Sequence, residues 1–331
     1  MRILWSILCG CIFLVACSKD NSFANTTDEN TPTVTTSSAY SVRIVPDITY
    51  AKGLRHQQIN SSTATEIPLK LDLYLPDNNS KNRPVFMFIH GGGFIGGSRK
   101  SAQIIDMANY FASRGWVFLS IDYRLRDDTG TVPQAWVDYA NNLPATSVAQ
   151  FLAIYPAHRD AKAALRWLIS KASTYGINTD FLTVGGSSAG AVTAVTLGVS
   201  NLEDYTNELT LQQDPTLTST HLSQSYQIQS VVEFWGTKVG VDILSEIYGH
   251  QRFDDQDPDL LIIHGTADAN ENTPYSSALE LKNSYDASGA YSELIPLVDK
   301  GHGAWNASVN GKSLSELSFD FIVKQQKLQV Q

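Results

Sequence analysis

Short apolar runs separated by amphipathic stretches fill most of the chain after residue 68. Residues 69–75 alternate apolar and polar side chains with period two, which predicts a half-buried edge strand. Other runs are almost continuously apolar, as is typical of central strands in a parallel sheet buried on both faces. These runs are 84–90, 117–122, 181–184, 228–235 and 260–264. A further run at 291–298 predicts the final strand.

Helix-forming stretches lie between these runs. They are 101–114, 159–175, 190–199, 274–288 and 314–324. Strands that alternate with helices in this way predict an α/β fold, with a doubly wound, mostly parallel sheet and helices on both faces. Two long polar stretches, 125–158 and 200–227, interrupt the alternation. Loops at the carboxyl ends of the strands surround the ligand crevice in such folds, so residues 125–158 form either a pocket wall or lid, or a surface decoration.

The first forty residues have a different character. Residues 1–16 carry one positive charge and then an apolar stretch too short to span a bilayer, which predicts a signal peptide. The sequence Leu14-Val-Ala-Cys17 resembles the lipobox of bacterial lipoproteins, which implies that Cys17 carries lipid, including palmitate, and begins the mature chain. An ordinary signal peptide is the alternative. Ser18 resembles the pattern of lipoproteins sent to an outer membrane.

Residues 17–41 are mostly small and polar, which predicts a flexible tether. Residues 42–331 are expected to form a single catalytic domain.

Composition narrows the classes of partner. The 331-residue chain has 33 acidic and 24 basic side chains, a net charge of −9, which argues against nucleic-acid binding and against attraction to anionic lipid. Membrane attachment would therefore depend on the lipid alone.

The three cysteines are Cys9, Cys11 and Cys17. If the leader is removed, the catalytic body has no thiol for disulfides, zinc–thiolate sites or a cysteine nucleophile, and no metal or cofactor is expected.

The segment Gly186-Ser-Ser-Ala-Gly190 fits the pattern Gly-x-Ser-x-Gly. The pattern alone is weak, but it stands directly after a predicted strand and before a helical stretch. A tight turn at that place needs small neighbours to expose the serine hydroxyl at the end of the sheet. Ser188 is therefore the predicted nucleophile.

A second glycine-rich segment, His90-Gly-Gly-Gly-Phe94, follows an earlier strand. Successive glycines let the backbone approach a substrate closely. The N–H groups of Gly92 and Gly93, together with that of Ala189, are predicted to stabilise an oxyanion. A plain glycine turn and a phosphate loop are alternatives, and the second is disfavoured because no Gly-Lys-Ser/Thr follows.

A serine nucleophile needs a base and an acid, which follow in the order serine, acid, histidine in enzymes with this motif. His302 stands between glycines just after the final predicted strand, and Asp268 lies on the loop beyond the strand that ends at His264. We assign His302 as the base and Asp268 as the orienting acid, with Asp299 and Asp242 as alternatives for the acid. His264 and His90 are assigned to bonding the backbone of their own loops.

Several segments together resemble the α/β-hydrolases. They are 71–76, 88–94, 120–125, 160–167, 185–190 and 264–268. More narrowly, the chain is similar to the carboxylesterases of the bifunctional feruloyl/acetyl xylan esterase and hormone-sensitive-lipase-like groups over roughly residues 45–325, and the absence of an N-terminal helical cap favours the first group. The resemblance implies a serine carboxylesterase that hydrolyses short acyl or hydroxycinnamoyl esters, on small molecules or plant polysaccharide, through an acyl-enzyme. A prolyl-oligopeptidase-like serine peptidase and a non-catalytic binding protein with the same fold are the alternatives.

Overall fold

The computed structural model describes residues 30–331. The predicted signal peptide, Cys17 and the first part of the predicted tether lie outside the described residues. The strands are β1 (Thr33–Val34), β2 (Val42–His56), β3 (Ala64–Pro76), β4 (Arg83–Ile89), β5 (Val117–Ile121), β6 (Ile177–Ser187), β7 (Ser230–Phe234), β8 (Asp259–Gly265), β9 (Ser292–Leu297), β10 (Ser308–Val309), β11 (Lys312–Ser313) and β12 (Gln329–Val330). The helices are α1 (Ala102–Ala112), α2 (Gln134–Ala140), α3 (Ala145–Ser170), α4 (Ala172–Tyr175), α5 (Ala189–Val199), α6 (Val239–Tyr248), α7 (Tyr275–Ser288) and α8 (Leu314–Gln325), with short 3-10 turns at Arg126–Asp128 and Pro215–Ser219.

Eight strands form one sheet in the order β2-β3-β5-β4-β6-β7-β8-β9. The pairs β2–β3 and β3–β5 are antiparallel, and the strands from β5 to β9 run parallel. Helices α1 and α8 supply apolar side chains to the core on one face, while α3, α5, α6 and α7 supply them on the other. The predicted fold class, a doubly wound and mostly parallel α/β sheet with helices on both faces, is therefore confirmed.

Two expectations about the elements were wrong, and one helix was missed. Residues 69–75 lie in an interior strand, because the polar strand β2 pairs outside β3 and forms the edge. The stretch 125–158 contains α2 and the first half of α3, which begins at residue 145 and continues through Pro156 to residue 170. Helix α6 was not predicted.

The predicted tether boundary at residue 41 also needs correction. Strand β1 pairs in parallel with β12 near the C-terminus, and Val34 is fully buried. The N–H groups of Ala39 and Tyr40 donate to the carbonyl of Ser113. Within the described part of the chain, residues 33–40 therefore pack against the body because they satisfy backbone hydrogen bonds and bury an apolar side chain there.

No helix within residues 30–331 combines the length and apolar composition that crossing a bilayer requires.

Candidate active site

Ser188 lies in the sharp turn between β6 and α5. Its backbone has a positive φ of 53° with ψ −121°, a conformation that a non-glycine residue adopts only when its surroundings enforce it. The flanking glycines permit this geometry. A Cβ atom on Gly186 would lie 2.2 Å from the carbonyl oxygen of Gly190, and one on Gly190 would lie 2.1 Å from the carbonyl oxygen of Ile89. Both positions of the motif are therefore restricted to glycine by close approach of the backbone.

The structure brings the three predicted triad side chains together. The Oγ atom of Ser188 lies 3.0 Å from Nε2 of His302, and Nδ1 of His302 lies 2.8 Å from Oδ2 of Asp268. Because a carboxylate oxygen accepts, Nδ1 of His302 carries the proton and Nε2 is free to accept the serine proton. Asp268 is buried. The alternative acids lie elsewhere: Asp242 pairs with Lys238 at 2.6 Å, and Asp299 is exposed.

The glycine-rich loop after β4 presents the predicted oxyanion donors. Nδ1 of His90 donates to the carbonyl of Gly91 at 2.7 Å, and the carbonyl of Gly92 accepts from the N–H groups of Ile95 and Gly96. In a trans peptide the N–H points opposite to the carbonyl, so the N–H groups of Gly92 and Gly93 are turned away from these contacts. Together with the N–H of Ala189 at the start of α5, they donate to no acceptor within residues 30–331.

His90 bonds the backbone of its own loop, as expected. Its ring stacks on Tyr123 with centroids 4.4 Å apart, and the Tyr123 hydroxyl donates to the His90 carbonyl at 2.9 Å. Burial lowers the pKa of His90. A neutral, packed imidazole therefore anchors the loop.

His264 bonds the backbone of its own loop, as expected, and makes a second contact. Its Nε2 bonds the carbonyl of Thr273 in its own loop at 3.1 Å, but it also lies 3.0 Å from Oδ2 of Asp268. The contact with the predicted acid was missed. Its signal in the sequence is the four-residue spacing between the two side chains within one strand-to-loop segment.

A cavity of about 650 Å³ surrounds the Ser188 hydroxyl, a volume typical of small-molecule sites. One wall comes from helix α3, so the stretch 125–158 contributes part of the pocket. The other lining residues come from the glycine-rich loop, from the starts of α1, α5 and α6, from the turn after β7 and from the loops that carry Asp268 and His302. The lining includes Ser101, Gln103, Ser147, Gln150, Phe151, Ile154, Val192, Trp235, Thr237, Val239, Asn270, Asn272 and Trp305.

Sequence reasoning missed two contacts that support this cavity. The side-chain amide of Gln150 in α3 donates to the carbonyl of Gly93 at 2.8 Å and links the wall to the glycine-rich loop. Glu233 in β7 is fully buried, and one of its carboxyl oxygens accepts the N–H of Gly236 beside the pocket residue Trp235. Burial raises the pKa of Glu233 to about 8. A glutamate inside the otherwise apolar segment 231–235 was the available signal.

The described residues contain no group of three or more His, Cys, Asp or Glu side chains arranged to hold a metal ion.

Curated proteins that resemble the chain carry esterase names. The para-nitrobenzyl esterase of Bacillus subtilis is 30% identical over 144 residues, which cover 41% of this chain and 27% of that protein. Esterase LipC of Mycobacterium tuberculosis is 29% identical over 140 residues, or 40% of this chain and 27% of that protein. The chain thus spans about a quarter of the length of these relatives. The isoprenylcysteine alpha-carbonyl methylesterase ICME of Arabidopsis thaliana is 23% identical over 70% of this chain and 53% of its own length.

Solved structures share the architecture. The butyrate-bound esterase Est2 of Thermogutta terrifontis superposes with a TM-score of 0.57 at 22% identity and covers 78% of this chain and 90% of its own. A truncated carbohydrate esterase from gut microbiota reaches a TM-score of 0.57 at 21% identity, with 89% of this chain and 99% of that chain covered. At these identities the likeness establishes the fold, which is that of the α/β-hydrolases.

The family comparison covers more of the chain than the para-nitrobenzyl esterase and Esterase LipC do. The model of the BD-FAE family matches residues 71–144 and 146–252, more than half of the chain. The matched ranges include the glycine-rich loop, the helix that forms the pocket wall and the turn at Ser188. The chain therefore belongs to the BD-FAE family of α/β-hydrolases.

Proposed function

We propose that the chain is a serine carboxylesterase in which Ser188, His302 and Asp268 form the catalytic triad. The observation that carries this proposal is the unbroken hydrogen-bonded chain from Asp268 through His302 to Ser188. Ser188 lines the same cavity as the three residues whose backbone N–H groups have no acceptor within residues 30–331. Membership of the BD-FAE family and the esterase names of the relatives support the same activity.

The acylation step follows from this geometry. His302 Nε2 takes the proton from Ser188 Oγ as that oxygen attacks the ester carbonyl carbon, and Asp268 holds the imidazole tautomer. The N–H groups of Gly92, Gly93 and Ala189 stabilise the tetrahedral oxyanion, where one such donor contributes about 3 kcal/mol to the transition state. As the carbon–oxygen bond to the alcohol breaks, His302 returns the proton to the departing alcohol.

In deacylation, water takes the place of Ser188 as the nucleophile and Ser188 becomes the leaving group. Water enters, His302 removes one of its protons, and the oxygen attacks the acyl carbon bonded to Ser188 Oγ. The same N–H groups stabilise the second oxyanion. The Ser188–acyl bond then breaks, the proton passes from His302 to Ser188 Oγ, and the carboxylic acid leaves.

The lining of the cavity supports short acyl or hydroxycinnamoyl groups as the acid portion of the substrate. Phe151, Ile154 and Val192 supply an apolar surface on one side of Ser188, whereas Gln103 and Asn270 supply amide groups to the cavity. Amide groups in the lining match the hydroxyl groups of a small alcohol or a polysaccharide. A structural neighbour described as a carbohydrate esterase accords with that choice.

The test compares purified wild type with Ser188→Ala and, as a matched control, Ser187→Ala. We expect hydrolysis of p-nitrophenyl acetate, acetyl xylan and methyl ferulate by the wild type, retention of at least a tenth of the activity by the control, and a loss of about 10⁴-fold or more in Ser188→Ala. A fluorophosphonate probe should label the wild type but not Ser188→Ala. Turnover of a chromogenic proline peptide without ester turnover would establish a peptidase, and a folded protein that never labels would establish a binding protein.

We also propose that Cys17, which lies outside the described residues, anchors the enzyme to a bacterial membrane, with the outer membrane as the destination. The motif Leu14-Val-Ala-Cys17 supports this assignment. Cys17→Ala should move the enzyme from the membrane fraction to the soluble fraction, while the control Cys11→Ala in the leader should leave the distribution unchanged. Equal membrane fractions for both variants would contradict the proposal.

A further inference from the structure

A second histidine contacts the proposed catalytic acid. His264 is the last but one residue of β8 and is fully buried. Its Nε2 lies 3.0 Å from Oδ2 of Asp268 and 3.1 Å from the carbonyl oxygen of Thr273. The ring of Tyr275 packs edge-on against the imidazole, with centroids 5.9 Å apart.

These contacts determine the protonation of His264. A carboxylate oxygen and a carbonyl oxygen both accept hydrogen bonds, so Nε2 must carry a proton. Nδ1 is buried and has no hydrogen-bond partner within residues 30–331. Burial lowers the pKa of His264. The ring is therefore a neutral imidazole in a single tautomer, with its one N–H directed at Asp268 and Thr273.

The carboxylate of Asp268 is held at both oxygens. Oδ1 accepts the N–H of Asn270 at 2.9 Å, while Oδ2 accepts from His264 and from Nδ1 of His302 at 2.8 Å. His302 sits on a loop between two glycines and is partly exposed, whereas His264 belongs to a strand in the middle of the core. The donor in the buried strand thus fixes the oxygen that the partly exposed histidine on the loop must meet.

Thr273 contacts both histidines that bond Asp268. Its carbonyl shares the Nε2–H of His264, and its hydroxyl oxygen lies 3.3 Å from Nδ1 of His302. One buried N–H therefore links the sheet to the acid and to the far end of the loop that carries it.

We propose that His264 is a positioning residue that orients Asp268 toward His302. This inference rests on the proposed serine esterase function. Because the orientation of a triad contributes to the transition state and not to ground-state binding, loss of the His264 donor is expected to lower kcat and to leave KM nearly unchanged.

Two substitutions separate the hydrogen bond from packing. His264→Leu fills a similar volume with an apolar side chain and removes the hydrogen-bond donor. His264→Gln retains an N–H that can reach the carboxylate of Asp268. We expect kcat for p-nitrophenyl acetate to fall about 10- to 100-fold in the leucine variant and to recover at least threefold in the glutamine variant. The control is His158→Leu, because His158 is another fully buried histidine with one paired and one unpaired ring nitrogen and does not contact the triad. Its kcat should stay within about twofold of wild type.

Equal kcat values for the leucine and glutamine variants, or a loss in His158→Leu as large as that in His264→Leu, would overturn the proposal. If Ser188→Ala retains full ester turnover, the proposed function fails. If that variant is inactive while His264→Leu equals the wild type, only the role of His264 fails.

If the leucine variant does not fold, a measurement on the unmodified protein tests whether His264 donates to Asp268. Long-range nitrogen–proton NMR spectra of histidine-labelled wild type at pH 8 should show His264 as the neutral Nε2–H tautomer. An Nδ1–H tautomer, which leaves Nε2 without a proton, would exclude the donation to Asp268.

Discussion

Glu233 offers a test of how burial controls the pH dependence of stability. The side chain is fully buried in β7, and burial is the largest cause that raises its pKa from 4.5 to about 8. Between these two values the folded protein keeps the carboxyl proton, whereas the unfolded chain releases it. Stability must therefore fall as the pH rises from about 4.5 to 8, because the folded state binds more protons there.

The size of the effect follows from the pKa difference. Each unit of difference corresponds to about 1.4 kcal/mol, so the wild type is expected to lose about 3 kcal/mol between pH 5 and pH 8 through this one group. Glutamine at position 233 resembles the protonated acid: its carbonyl can accept the N–H of Gly236, and it does not titrate. The free energy of unfolding of Glu233→Gln should therefore exceed that of the wild type by a margin that grows with pH.

Urea unfolding followed by tryptophan fluorescence at half-unit pH steps measures this margin. Taking the difference between variant and wild type removes the contributions of all other titrating groups. Glu280→Gln, on an exposed position of α7, is the matched control and should follow the wild-type curve. Parallel curves for wild type and Glu233→Gln would refute the reasoning, because they would mean that Glu233 has the same charge in the folded and unfolded states.

Three further predictions concern other parts of the molecule. Gln150→Leu should reduce kcat for p-nitrophenyl acetate about 3- to 10-fold, because it removes the donor that holds the Gly93 carbonyl, and steady-state kinetics that match the wild type would contradict this. Gly190→Ala should abolish most of the activity and lower the melting temperature, since the added Cβ would lie 2.1 Å from the carbonyl oxygen of Ile89; a calorimetric scan with an unchanged midpoint would be the contrary result. Burial lowers the pKa of Lys162 from 10.5 to about 7, so the unfolded chain binds the extra proton between these values and stability should rise with pH there. In Lys162→Met this rise should be smaller by about 1.4 kcal/mol per pH unit, and urea titrations with equal slopes would count against it.

The features predicted from the sequence are those that neighbouring residues specify. Apolar runs such as 84–90 and 260–264 became buried parallel strands, since a strand covered on both faces needs continuous apolar side chains. The turn at Ser188 was predictable because only glycine fits at positions 186 and 190, where an added Cβ would lie about 2 Å from a backbone carbonyl oxygen. Asp268 and His302 followed from their places after predicted strands.

Elements whose stability comes from distant contacts were predicted poorly. Strand β2 has a mixed polar sequence and exists because it pairs along the length of β3. Helix α3 contains Pro156 and is buried on most sides over its second half, so neither periodicity nor a start signal marked its beginning at residue 145. Strand β1 is paired with residues almost 300 positions away.

The sequence by itself determined the alternation of strands and helices, the nucleophile turn and the glycine-rich loop, because each depends on spacing within about ten residues. Only the tertiary structure decided which side chains support them. Gln150 reaches Gly93 across 57 positions, and Asp268 shares one oxygen between His264 and His302. Such contacts depend on where the sheet brings loop ends together, and local hydrophobic patterns carry no information about that placement.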